Sequence, residues 1–231
     1  MSIFALGDTH LSFSSDKPMN VFYGWQDYEK RLKKNWKKLV TDNDTVVVAG
    51  DISWAMSLEQ AREDLAFLDS LPGRKLLMKG NHDYWWATKT KAERFFEENG
   101  FDSLKILHNN AYKIGDFAVC GSRGWFFDAT AENDKKVILR EAKRLQMSID
   151  EAKKLGGEII VFLHYPPLMT TGVCEEIIEV LKQNGIRRCY YAHLHGASCL
   201  NAVTGIVEGV KYSLISADHL EFCPKLVEKT Q

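Results

Sequence analysis

Five short apolar runs in this chain end in residues that bind metals or anions, and this recurrence limits the possible folds more than any other feature. Lys75-Leu76-Leu77-Met78-Lys79 runs into Gly80-Asn81-His82-Asp83. Ile3–Leu6 is followed by Gly7-Asp8-Thr9-His10, Thr45–Ala49 by Gly50-Asp51, Ile159–Leu163 by His164, and Cys189–Ala192 by His193-Leu194-His195. Runs of this length and composition read as buried strands. One such exit taken alone is an ordinary polar turn. Five of the seven histidines fall at these exits. In open α/β sheets, ligands bind beyond the carboxyl ends of the strands, where residues distant in sequence converge.

Helices are expected between the strands. Trp25, Tyr28, Leu32, Trp36 and Leu39 recur at three- and four-residue spacing, which predicts a one-faced helix over Trp25–Val40. The basic run from Lys30 to Lys38 belongs on its solvated side. Ser57 and Gln60 form a capping box ahead of a helix carrying Leu58, Ala61, Leu65 and Leu68, stopped by Pro72-Gly73. Further helices are predicted over about Thr88–Asn99, residues 134–155 and residues 174–184, each closed by glycine. Tyr112 to Cys120 reads as a hairpin turning at Gly115-Asp116. Residues 206–216 are expected to form antiparallel strands, with a loose polar tail after Pro224. Residues 11–24 form a polar loop, long enough to suggest a functional surface.

A chain of 231 residues can bury a sizeable core and is expected to form a single domain, residues 1–231. The net charge of −1 provides no basic footprint, so generic binding to nucleic acid or a membrane surface is not expected. Five scattered cysteines without a Cys-x-x-Cys spacing argue for a reducing compartment and against a disulfide framework. With no signal-like or membrane-length apolar segment, the reading is a cytoplasmic protein. Nothing in the sequence bears on oligomeric state.

The residue types at the strand exits suit cations. Asp8-x-His10 and His193-x-His195 are i, i+2 pairs, which face the same way if strand geometry continues, so each pair is expected to serve one cluster. Asp51 is a lone carboxylate able to bridge two ions. Mixed His, Asp and Asn donors without cysteine suit Mn²⁺, Fe²⁺, Zn²⁺ or Ni²⁺ rather than a thiolate zinc site. Seven candidate ligands are too many for one tetrahedral ion and suit two.

This ordered set, Asp8-x-His10, Gly50-Asp51, Gly80-Asn81-His82-Asp83, His164 and His193-x-His195, resembles the calcineurin-like metallophosphoesterase superfamily, with a look similar to small bacterial predicted phosphohydrolases. The resemblance implies an α/β fold, a two-sheet β-sandwich flanked by helices. It also implies two divalent metal ions, one held by Asp8, His10, Asp51 and His195 and the other by Asp51, Asn81, His164 and His193, with Asp51 shared. The implied reaction is phosphate-ester hydrolysis by metal-activated hydroxide, with His82 as proton donor to the leaving oxygen. Asp83 is read as a support for His82. Leu11 after the first motif, and Ile52-Ser53-Trp54 after Asp51, depart from the pattern of Ser/Thr protein phosphatases. Trp54 also stands where purple acid phosphatases carry an iron-binding tyrosine. Ala192 replaces the glycine usual before His-x-His.

Other residues keep two readings. Arg123 could grip a substrate phosphate bidentately or make an ordinary salt bridge. Trp54, Tyr84, Trp85, Trp86, Trp125 and Tyr165 lie next to motif residues and could pack in the core or form a stacking wall. The expected partner is a small phosphate monoester or diester, since no large cap region is visible. A nuclease of the same fold lacks the basic stripe that phosphate tracking needs. A non-catalytic metal-binding scaffold predicts missing ligands, and none is missing.

Overall fold

The computed structural model describes residues 1–125 and 132–230. Its thirteen strands are β1 (Ser2–Leu6), β2 (Thr45–Val48), β3 (Arg74–Leu77), β4 (Leu104–Ile106), β5 (Ala111–Ile114), β6 (Phe117–Ser122), β7 (Glu158–Leu163), β8 (Leu168–Met169), β9 (Gly172–Val173), β10 (Arg188–Tyr191), β11 (Gly205–Val207), β12 (Val210–Leu214) and β13 (Lys225–Lys229). Among the described residues five α-helices, α1 (Tyr28–Leu39), α2 (Arg62–Asp69), α3 (Lys89–Glu98), α4 (Glu132–Leu155) and α5 (Glu175–Gln183), lie between them.

One sheet has the order β13-β1-β2-β3-β4 and the other β11-β12-β10-β7-β6-β5. Strands β1 to β4 run parallel, as do β6, β7, β10 and β12. Parallel strands covered on both faces are apolar at nearly every position, and here successive residues feed two different layers. Ile3, Ala5, Val47 and Leu76 meet Val119, Ile160, Phe162 and Tyr190 in the layer between the sheets. Phe4, Leu6, Val46, Val48 and Leu77 face outward onto residues of α1, α2 and α3, among them Leu32, Trp36, Leu65 and Phe95. Ala118, Cys120, Val161, Leu163 and Tyr191 similarly meet Leu145, Ile149, Ile177 and Leu181 of α4 and α5. The result is the expected two-sheet sandwich with helices on both outer faces.

Some boundaries differ from the sequence reading. Trp25 is buried but lies outside α1, because Asp27 at the N-cap takes a left-handed φ of 49° and the helix begins at Tyr28. Ser57 Oγ accepts from the Gln60 amide, but Gln60 Oε1 accepts from Met56 N, one residue before the expected cap. The segment stays a turn until α2 begins at Arg62. The residues after Pro224 are no loose tail: β13 pairs antiparallel with β1 and closes that sheet edge. Its charged residues suit an edge strand that must resist further pairing.

Candidate metal centre

The exits of β1, β2, β3, β7 and β10 bring the motif residues together at one end of the sandwich. Backbone pairing continues past the strands: Asp8 N donates to Gly50 O (2.9 Å), His10 N to Asp51 O (2.9 Å) and Leu11 N to Ile52 O (2.9 Å). Tyr28 Oη donates to the His10 carbonyl at 2.9 Å, which fixes this loop against α1. Asp8, His10, Asp51 and His193 all have positive φ, at 57°, 43°, 49° and 76°. Left-handed backbone is uncommon outside glycine and collects at functional sites, where the surrounding structure enforces it.

Two groups of donors result. Atoms of Asp8, His10 and His195 lie within 4.8 Å of one another, and so do atoms of Asp51, His164 and His193. Asp51 Oδ2 joins the groups, 3.8 Å from His10 Nε2 and 3.5 Å from His164 Nε2. The other oxygen, Oδ1, accepts from the His82 amide at 2.7 Å. Asn81 Oδ1 lies 2.7 Å from His164 Nε2, on the second group. The i, i+2 expectation holds for Asp8 and His10 but fails for His193 and His195, which enter different groups. Strand geometry stops before both pairs, at Leu6 and at Tyr191, and left-handed backbone at Asp8, His10 and His193 sets where each side chain goes.

Neighbouring groups fix which ring nitrogen faces the site. His164 Nδ1 lies 3.0 Å from the Ala49 carbonyl, an acceptor only, so this nitrogen carries a proton and Nε2 points into the centre. His195 Nδ1 lies 2.9 Å from Asp218 Oδ1, and its Nε2 lies 3.2 Å from His10 Nε2. A carboxylate behind a histidine is the usual support for a metal ligand. Asp218 also accepts from Gly196 N, at 2.9 Å. The sequence reading missed this residue; its only signal was an acid after the 206–216 strands, with no spacing to the motifs.

The donor set fits cations electrostatically. Asp8 and Asp51 are buried. Burial opposes their ionisation, yet His195 and His164 outweigh it and hold Asp8 down at about 2 and Asp51 well below the carboxylate range. In turn, against the effect of burial, Asp51 and Asp8 push His164 up to about 9, and Asp8 and Asp218 push His195 up to about 10. Burial pushes His10 down to about 4 and His193 to about 3. Each buried anion thus draws positive charge, which a divalent ion in each group would supply. Asp8 Oδ1 is buried without a hydrogen-bond partner, as suits an oxygen that ligates a cation.

Glycines permit the close packing of the exits. A Cβ on Gly80 would collide with the Asp51 carboxylate and amide, so glycine is needed there for space rather than for a left-handed turn. Gly7 faces the Ala192 methyl in the same way. Ala192 has no positive φ, so the backbone accepts alanine before His193.

One expectation is corrected, and one open reading falls to its second alternative, the salt bridge of Arg123. Asp83 does not support the His82 ring. Its carboxylate accepts from Ile52 N (2.8 Å), Ser53 N (3.2 Å), Gly80 N (2.7 Å) and Trp85 Nε1 (2.9 Å), while His82 Nδ1 has no partner. It ties the β2 and β3 exits together, and burial followed by the nearby Asp51 pushes it up to about 6. Arg123 pairs with buried Glu141 at 3.4 Å and lies over Trp125 at 4.6 Å. Glu141 also binds Arg144 at 2.6 Å, and Arg123 does not line the cavity over the centre. The aromatic group divides as well. Trp85 and Tyr165 are buried, Tyr84 is exposed, and of the six only Trp54 lines the cavity.

The sequence profile of the family described as calcineurin-like phosphoesterase matches residues 1–197. The chain belongs to the calcineurin-like phosphoesterase family. Among curated relatives of the chain, the uncharacterized protein MJ1445 of Methanocaldococcus jannaschii is 29% identical over 112 residues, 46% of this chain and 58% of that protein. The Gene 66 protein of Mycobacterium phage L5 is 38% identical over 58 residues, 25% of this chain and 28% of that protein. The match thus spans less than two thirds of either relative. Solved structures share the fold at low identity. TT1561 of Thermus thermophilus has a TM-score of 0.56 at 12% identity, covering 84% of this chain and 81% of that one. Phosphopantetheinyl hydrolase (PptH) of Mycobacterium tuberculosis has 0.52 at 12%, covering 93% and 88%. AQ665, a protein of unknown function from Aquifex aeolicus, has 0.51 at 16%, covering 97% and 94%.

Proposed function

We propose that this phosphoesterase is a dinuclear metal-dependent hydrolase of small phosphate monoesters or diesters. The observation that carries the reading is the pair of Asp/His groups meeting at a single oxygen, Asp51 Oδ2. Asp8, His10, Asp51 and His195 would hold one ion, and Asp51, Asn81, His164 and His193 the other. Two divalent ions there supply Lewis-acid activation of water and of the phosphoryl oxygens. The chain's own residues do the rest. Asp51 is fixed by the His82 amide so that Oδ2 remains available to both sides. The Ala49 carbonyl and Asp218 lock the His164 and His195 rings. His82 lines the cavity without belonging to either group, so it can deliver a proton to the leaving oxygen.

The test combines metal counting with turnover. The protein is loaded with Mn²⁺, its bound metal is measured, and hydrolysis of bis-p-nitrophenyl phosphate and of p-nitrophenyl phosphate is followed before and after chelation. About two ions per chain and turnover lost on chelation are expected. Bound metal with no hydrolysis of any phosphate ester would instead identify a scaffold.

A further inference from the structure

The cavity above the metal centre, about 580 Å³, is lined on one side by candidate ligands and on the other by Met19, Phe22, Tyr23, Trp25 and Trp54. Trp25 and Trp54 have structural work. Trp25 is buried, its ring 5.7 Å from that of His195, and Trp54 is stacked on His10 at 4.9 Å. Phe22 and Tyr23 do not share this role. Phe22 is 55% exposed and Tyr23 101%, and Val21 beside them is 71% exposed. Folding gains nothing from rings left in water, and an apolar cluster at a cavity mouth marks a contact surface. The turn carrying them is held in place. Gln26 bridges it by donating to Phe22 O (3.1 Å) and accepting from Gly24 N (3.1 Å), and Arg31 donates to Gly24 O at 2.7 Å.

Charge in the cavity is equally one-sided. Among the described residues lining it, no lysine or arginine appears. Apart from the candidate ligands and His82, the only ionisable side chains are the Tyr23 phenol and Asp218. Lys17 Nζ, 5.0 Å from the Trp54 ring centroid, is the one cation placed against a lining ring among the described residues, so a second phosphate or a carboxylate on the substrate would find little countercharge there.

We infer that the enzyme selects phosphate esters bearing a single phosphorus centre and a flat, aromatic, uncharged organic group, and that Phe22 and Tyr23 are the residues that select it. This inference rests on the phosphoesterase reading above for its hydrolytic part.

The experiment holds the leaving group constant. The Mn²⁺-loaded full chain is assayed on p-nitrophenyl phosphodiesters whose second group is phenyl, cyclohexyl, methyl or 4-carboxyphenyl. Stacking contributes enough that kcat/KM for the phenyl ester should exceed the other three by about tenfold. In Phe22→Ala and Tyr23→Ala the phenyl-to-methyl ratio should fall at least about threefold. Equal rates for phenyl and cyclohexyl esters, or a ratio unchanged in both variants, would overturn the inference. Equilibrium dialysis of phenylphosphonate against methylphosphonate reads the cavity without turnover. If phenylphosphonate binds more tightly, and loses that advantage in Tyr23→Ala, while no ester is hydrolysed, the selection stands and the phosphoesterase reading fails. If all esters turn over at one rate, the hydrolase reading stands and the selection is wrong. If neither phosphonate binds, the selection is also wrong.

Discussion

His82 and Asp218 show how differently two residues beside one centre act. His82 contributes its backbone amide to Asp51 and its ring to the cavity, 4.5 Å from Trp54. Burial holds its pKa below the ordinary value, so the protonated ring that the acid role needs becomes more populated as pH falls. His82→Ala should keep both metals and lose about 10²–10⁴-fold in kcat on an alkyl ester. The loss should be smallest on esters of acidic phenols, whose leaving oxygen needs no proton. Rates measured across a series of leaving groups check this, and an unchanged rate on the alkyl ester would remove the acid role. Asp218 acts on the centre through His195, at 2.9 Å. Asp218→Asn should weaken metal affinity about 10- to 100-fold while the chain stays folded, as read by competition with a fluorescent chelator. His82 stands out in the sequence because Asn-His-Asp follows an apolar run. Asp218 does not, because a supporting carboxylate needs only to reach the ring and has no fixed spacing.

At the scale of elements, Lys75 joins α2 to β3. It is fully buried, and its Nζ donates to Leu71 O (2.5 Å) and Asp69 O (3.3 Å), the carbonyls at the end of α2 and just beyond. A cation there satisfies acceptors that a helix leaves unpaired. Burial outweighs the neighbouring aspartates and pushes Lys75 down to about 8, against 10.5 for an ordinary lysine. Between those values the folded chain binds fewer protons than the unfolded chain, so stability attributable to Lys75 rises with pH across this window. Lys75→Met should cost about 1–2 kcal/mol near neutral pH by leaving two buried carbonyls short of a donor. It should also lose this pH-dependent rise. Urea midpoints at pH 7.5 and 9.5 for both proteins check both effects. Elements whose residues alternate between two apolar layers, such as β1, β2 and β7, were legible because burial on both faces leaves a continuous apolar run. β13 was not, since Lys-Leu-Val-Glu-Lys has an edge strand's mixed composition, and neither β4 nor the two-residue strands β8 and β9 leave a periodic signal. The aromatic rim at Phe22 and Tyr23 was visible only as a long loop, because what it faces is set by tertiary packing.

For the whole molecule, the feature with the widest consequence is the origin of the donors. They come from positions 8 to 195 and from both sheets, and four of them sit in left-handed backbone that neighbouring strand exits enforce. No short segment of the chain holds enough of them to capture an ion before the sandwich closes. Metal therefore cannot template folding as it does in small zinc modules, where site and fold form together. It arrives at a finished structure and acts as a lock. An interaction absent from the transition state leaves the folding rate alone and slows unfolding. Stopped-flow urea jumps with and without saturating Mn²⁺ should give equal refolding rate constants, while the unfolding rate constant falls at least about tenfold. A refolding rate that climbs with metal concentration would mean that the two sheets meet around the ion rather than ahead of it. Loading would then be a step in the chain's assembly, and a cell short of metal would accumulate unfolded protein rather than intact, empty enzyme.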